Sequence, residues 1–247
     1  MPRAIWSGSI SFGLVNIPVR LYSAVSRKSV RFNQIDSSTG ARVKQKRVSA
    51  ADGEEVPYER IVKGYELPSG DFVTISDDEM AALDPEAVRT IDIEEFVDLA
   101  DIDPIFYDNA YHLVPDEQTA KPYKLLANAM EEAGKVGICR FVMRSKQYLG
   151  AVRPVDGRLV LSTMVYHDEV VDPGEIGGFD LLDDIEIDAK EQAMAEQLIA
   201  TLDAEFDPTR HSDTYREAVL DLIERKAAGE TGDELVPAAA PSSDKVI

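Results

Sequence analysis

One cysteine and one tryptophan occur in 247 residues, and 26 lysines and arginines stand against 46 aspartates and glutamates. The lone Cys139 excludes an internal disulfide and any cysteine-rich zinc site. Set in Val136-Gly-Ile-Cys-Arg-Phe-Val-Met143, it reads as a small buried hydrophobe. No run approaches the roughly 20 apolar residues of a membrane span. The opening Met1-Pro-Arg-Ala-Ile-Trp6 has neither the continuous apolar stretch nor the cleavage site of a signal peptide. These absences lead us to expect a soluble, cytoplasmic chain. Also missing are a GxxxxGKS/T phosphate loop, a GxGxxG between a strand and a helix, HExxH and GxSxG. Nucleotide hydrolysis by the familiar routes is therefore not expected, no cofactor is implied, and a non-catalytic protein is expected.

The net charge of −20 taken alone opposes binding to polyphosphate. Its distribution does not. Residues 1–50 carry nine basic groups against Asp36 alone, a net of +8, whereas residues 51–100 carry three against fifteen acids and residues 161–247 six against twenty-two. Residues 101–160 balance at eight against eight, yet from Lys135 to Arg158 six basic groups face only Asp156, a second local excess of +5. A solvated face explains one such cluster; two in so acidic a chain point to a polyanion.

The length favours one main domain, since β-barrels of this size fold as single units. From Ser9 to Tyr22 apolar residues alternate (Val15, Ile17, Val19, Leu21), which predicts a half-buried strand with Pro18 at an edge or bulge. Val30 to Val48 reads as two polar, basic strands joined at Ser37-Ser-Thr-Gly40, with too few apolar residues to own a core, so a projecting arm is expected. Asp71–Ile75, Thr90–Leu99, Tyr111–Val114 and Val136–Met143 read as strands, and Lys121–Ala133 as a helix stopped by Gly134. Ser76-Asp-Asp-Glu79 is a capping box; Asp84-Pro-Glu86 starts a helix or makes a tight turn. Asp156-Gly157 predicts a hairpin over Tyr148–Tyr166. Amphipathic helices follow over Asp188–Glu205, with a stripe at Met194, Leu198 and Leu202, and Ser212–Ala228, with Val219, Leu222 and Ile223. Beyond Gly229 the composition is that of a flexible tail.

Three carboxylate sites compete as chemistry. His167-Asp168-Glu169 could join a metal site, and Asp101-Ile-Asp103 or Asp183-Asp184 an acid–base pair, but strand ends and turns account for such residues in a chain this acidic. Binding remains the better reading. Neither basic cluster lies on a convincing helix, so phosphate contact is favoured over base readout. An acidic protein-interaction module whose basic arm takes an acidic protein partner is the alternative; a metal-dependent nuclease is the third.

Arg3-Ala-Ile-Trp-Ser-Gly-Ser-Ile-Ser-Phe-Gly-Leu-Val-Asn-Ile-Pro-Val-Arg-Leu-Tyr22 resembles the start of the bacterial Ku family of DNA end-binding proteins. The likeness continues through Lys63-Gly-Tyr-Glu66, Ser76-Asp-Asp-Glu79, Ile102-Asp-Pro-Ile-Phe-Tyr107, Tyr111-His-Leu-Val-Pro-Asp116 and Val136 to Arg144, covering Pro2 to about Lys226. The resemblance implies a mainly β fold with α: a Ku-type β-barrel core over 1–185 with a basic bridge arm at about 27–65, a C-terminal helical arm over 186–228, and a tail over 229–247. It implies a homodimeric ring on double-stranded DNA ends that recruits an ATP-dependent DNA ligase, with no membrane partner and a nucleoid-associated location. DNA contacts are then expected from Arg27, Lys28, Arg31, Arg42, Lys44, Lys46 and Arg47 on the arm. Arg140, Arg144, Lys146, Arg153 and Arg158 are expected to join them from the barrel. The stripes at Leu198, Leu202, Leu222 and Ile223 become a dimer interface or intramolecular packing, and Leu235, Val236, Lys245, Val246 and Ile247 candidate ligase contacts. Many family members continue past the position of Lys245-Val-Ile247 with a helix and sometimes a lysine-rich tail; this sequence ends there.

Overall fold

A computed structural model describes residues 2–83 and 89–230. The Asp84-Pro-Glu86 reading and the five candidate ligase contacts lie outside them. Among the described residues nine strands occur: β1 (Trp6–Phe12), β2 (Val15–Ser23), β3 (Lys63–Glu66), β4 (Phe72–Ile75), β5 (Thr90–Asp98), β6 (Tyr107–Pro115), β7 (Lys135–Met143), β8 (Lys146–Val155) and β9 (Arg158–Met164). Four α-helices accompany them: α1 (Asp77–Leu83), α2 (Ala120–Ala133), α3 (Ala189–Leu202) and α4 (Thr214–Ala227). Two compact units divide the chain, residues 1–26 with 46–176, and residues 27–45 with the part from Gly177 onward.

In the first unit, seven strands close into a barrel in the order β1-β2-β6-β9-β8-β7-β5. Every neighbouring pair is antiparallel except β1 and β5, whose parallel pairing seals the cylinder. Alternation decides which side chains enter. Ile17, Val19 and Leu21 of β2 are buried while Asn16, Pro18 and Arg20 are exposed. Ile10, Ile91, Leu113, Phe141, Val152, Leu159 and Leu161 complete the interior, each contributing about 1.5–3 kcal/mol by burial. Cys139 lies fully buried among them, as expected. Gly150 makes room for it: a Cβ there would stand 3.2 Å from Cys139 Sγ and 3.0 Å from Leu161 Cδ1. The Asp156-Gly157 hairpin forms as expected, with φ of 49° and 69° at the two turn residues, the left-handed pair that a type I′ turn requires.

Helix α2 is packed into this core through Tyr123, Leu126, Ala127 and Met130. Tyr123 Oη donates to the Leu113 carbonyl and accepts from the Leu159 N–H, both at 2.7 Å. One buried hydroxyl thus bridges β6 and β9 at the point where Leu113 and Leu159 face each other, tying helix and sheet together. The capping box of α1 is also present: Ser76 N–H donates to Glu79 Oε2 at 2.8 Å and Glu79 N–H to Ser76 Oγ at 3.2 Å.

Two expectations are corrected. The single strand over Ser9–Tyr22 is a hairpin, because Gly13 and Leu14 turn the chain and pair Phe12 with Val15. Pro18 nonetheless occupies a local edge: it faces Ser9 of β1, while pairing with β6 begins only at Val19. The two basic strands over Val30–Val48 do not form; isolated bridges join Ile35 to Arg42 and Val48 to Glu55. With nearly every side chain from Val25 to Val56 exposed, no apolar face favours extending those bridges into a ladder. The turn between the first pair is still well defined: Asp36 accepts from Ser38 N–H, Ser38 Oγ and Thr39 Oγ1 at 2.7–2.9 Å.

In the second unit, α3 opens with a capping box at Asp188 and Glu191, and the Asp213 carboxylate caps α4 by accepting from Arg216 N–H. Neither helix buries any residue.

Candidate nucleic-acid interface

The basic arm residues are exposed throughout. Among the described residues, Arg27, Lys28, Arg31, Arg42 and Lys44 have no carboxylate partner. Asp36, the acid in their midst, is engaged by its own turn, and those hydrogen bonds hold its carboxyl below the ordinary range. Lys46 is paired with Glu55, and the Arg47 guanidinium stands 5.8 Å from the centre of the Tyr58 ring. An exposed ion pair of the Lys46 kind is worth at most about 1 kcal/mol, so an incoming phosphate can replace it. The basic groups from Arg27 to Arg47 therefore retain nearly all their capacity for an anion.

The barrel residues behave differently. Arg144 and Lys146 sit at the β7–β8 turn, and Arg158 follows the turn at the other end of β8. Ten residues of strand separate those turns, about 30 Å at the rise of an extended chain. What reads as one cluster in sequence is therefore two sites on the barrel. At the first, Arg144 and Ser145 both take positive φ, 54° and 59°, without a glycine. That conformation costs roughly 1–2 kcal/mol per residue and holds a tight turn. Lys146 Nζ lies 5.3 Å from the centre of the Tyr148 ring, which stacks on Phe141 at 5.5 Å. This aromatic support went unnoticed in the sequence, although Lys146 and Tyr148, two apart on a strand, share a face. Arg140 is held by Glu94 at 3.3 Å, and its charge is partly spent. Arg153 and Arg158 have no carboxylate partner among the described residues.

Two of the three candidate carboxylate sites have a member with a structural occupation. Glu169 Oε2 accepts from Tyr166 N–H at 2.8 Å, closing the short helical turn His167–Glu169. Asp103 Oδ1 accepts from Ile105 N–H at 2.9 Å. Among the described residues, no three His, Cys, Asp or Glu side chains converge in a way that could hold a metal, and no helix is long and apolar enough to cross a membrane. Of the four candidate dimer residues, Leu198 and Leu202 are strongly exposed, one turn apart on α3, and Leu222 and Ile223 are partly exposed on α4.

The family model for the Ku70/Ku80 beta-barrel domain matches residues 11–200, a span that contains β2 to β9 and most of α3. A "Non-homologous end joining protein Ku" from Anaeromyxobacter sp. (strain K) is 48% identical over 248 residues, covering 100% of this chain and 82% of that protein. "Non-homologous end joining protein Ku 1" of Saccharopolyspora erythraea is 43% identical across 100% of this chain and 75% of its own length. The Mycobacterium tuberculosis protein of the first name is 40% identical over 92% of this chain and 84% of its own. Barrel topology, matched span and identity agree, and the chain belongs to the Ku family of non-homologous end-joining proteins.

Proposed function

We propose that this chain binds ends of double-stranded DNA without regard to sequence, as a homodimeric ring, and that it acts as a non-catalytic scaffold recruiting an ATP-dependent DNA ligase. The observation that carries the DNA-binding part is the stretch Arg27–Lys44, where five cations have no carboxylate partner among the described residues of a chain of net charge −20. Such groups neutralise phosphates and release counterions, giving affinity without base readout. The exposed stripe of Leu198 and Leu202 supports pairing with a second copy. Family membership supports the role in end joining.

A mobility-shift comparison of linear duplex with unnicked closed circles of the same length tests the reading. Linear DNA should be bound and circles not; equal affinity for both would overturn threading onto ends. Replacing Arg42, Lys44, Lys46 and Arg47 together by Ala should flatten the slope of log affinity against log salt by about 2 to 4. An unchanged slope would remove the arm from the interface.

A further inference from the structure

On the outer face of the barrel, Ala110 of β6, Ser162 of β9 and Ala151 of β8 lie side by side. Ala110 and Ser162 help line a hollow of about 400 Å³, walled also by Leu99, Tyr107, Asp108, Asn109 and Arg153. Three of its polar groups are unspent. Ser162 is only 5% exposed, yet its hydroxyl takes part in no hydrogen bond among the described residues. Tyr107 Oη is buried and also has no partner among the described residues. Arg153, close enough to bias the ionisation of Tyr107, has no carboxylate partner among the described residues. Burial pushes the Tyr107 hydroxyl upward from its ordinary value, which keeps it a donor. A buried donor left unmade costs free energy, and the Tyr107 hydroxyl, in a hollow also lined by Ser162 and Arg153, marks a place for an acceptor-rich anion. Asp108 does not fill that role: its carboxylate accepts from Asn109 Nδ2 at 2.6 Å and from Thr163 Oγ1 at 3.4 Å.

We propose that this hollow binds a single nucleotide, its phosphate held by Arg153 and Ser162 and its sugar or base set against Leu99 and the Tyr107 ring. A guanidinium fork matches two phosphate oxygens. The volume falls in the roughly 300–1,000 Å³ range of small-ligand sites, more than a bare phosphate needs. Asn109 and Asp108, hydrogen-bonded to each other, stand in the same wall, where the remaining amide groups of Asn109 can meet a base edge. The source is an unpaired nucleotide at a DNA overhang, and that source alone rests on the function proposed above.

Calorimetric titration of the full chain with deoxyadenosine 5′-monophosphate, deoxyadenosine and inorganic phosphate tests the site. The monophosphate should bind, deoxyadenosine should not, and phosphate should bind at least tenfold more weakly than the monophosphate. Arg153→Gln should weaken the monophosphate at least tenfold, and Ser162→Ala and Tyr107→Phe about threefold each, with the thermal transition checked for every variant. No binding of the monophosphate, equal affinity for bare phosphate, or indifference to both Arg153→Gln and Tyr107→Phe would overturn the proposal. Wild-type protein should also prefer a duplex with a single-stranded overhang to a blunt one, a preference that Ser162→Ala weakens about threefold while blunt binding persists. An overhang preference unchanged in Ser162→Ala would overturn the overhang as the source. Failure of wild-type protein to bind any duplex would instead overturn the end-binding reading and leave the monophosphate titration to decide the site.

Discussion

The barrel and the helices α3 and α4 are both rich in leucine, isoleucine and valine, but they treat those residues in opposite ways. Every strand of the barrel has two bonded neighbours, and Leu113, Leu159 and Leu161 are sealed from water with α2 packed on them. Helix α3 leaves Met194, Leu198, Ile199 and Leu202 exposed, and α4 leaves Leu220, Leu222 and Ile223 so. A 14-residue helix is marginal in water without a packed face. The barrel therefore supplies its own stability, whereas the helices carry an apolar stripe that calls for a second surface.

The largest expected effect lies in the barrel. Leu161→Ala should cost about 3 kcal/mol and lower the thermal midpoint by about 6–12 °C, read by calorimetry; a drop near zero would mean that the core repacks freely. Leu198→Ala combined with Leu202→Ala should leave the barrel transition within about 0.5 kcal/mol of wild type while raising the dissociation constant of the proposed dimer at least tenfold by sedimentation. Loss of stability matching the Leu161 variant would place that stripe inside the subunit and erase the contrast. The smallest effect is local. Ser76→Ala should fray α1, visible in amide chemical shifts, without moving the global transition. Glu79 belongs to the same cap, and the Ser76 N–H and hydroxyl hold its carboxyl below the ordinary value of 4.5. Its contribution is thus complete above that value and disappears as pH falls through the lower folded one. Helical shifts in α1 should persist to a lower pH than an ordinary carboxylate allows, and a midpoint at 4.5 or above would refute the cap.

Short-range chemistry was legible in the sequence. The Asp156-Gly157 hairpin, the Ser76–Glu79 box, the stop at Gly134 and the burial of Cys139 each depend on a few adjacent residues, and each is present. The turn at Gly13 and Leu14 shows only as a change of phase, inward positions being even in β1 (Ile10, Phe12) and odd in β2 (Ile17, Val19, Leu21), which an alternation read from Val15 onward does not reveal. The arm strands failed for a different reason: polar alternation permits pairing, but only a buried face makes it persist. For the candidate interface, sequence counted charges correctly and could not see their partners. Glu94, which restrains Arg140, is 46 positions away and reaches it only because β5 pairs with β7. The hollow around Ser162 was illegible on the same ground, since Tyr107 and Arg153 become neighbours only when β6, β9 and β8 close side by side.

The concealment of Cys139 has a practical meaning for anyone who wants to watch this protein work. It is the only thiol in the chain, it has no accessible surface, and burial pushes its thiol away from the reactive thiolate. To a thiol-seeking dye the folded chain is dark. A single cysteine added to the arm or to α3 would be the one attachment point for a fluorophore, with no background to subtract. The same silence makes Cys139 a clock: slow uptake of a second label, on an otherwise labelled molecule, counts the moments when the barrel opens.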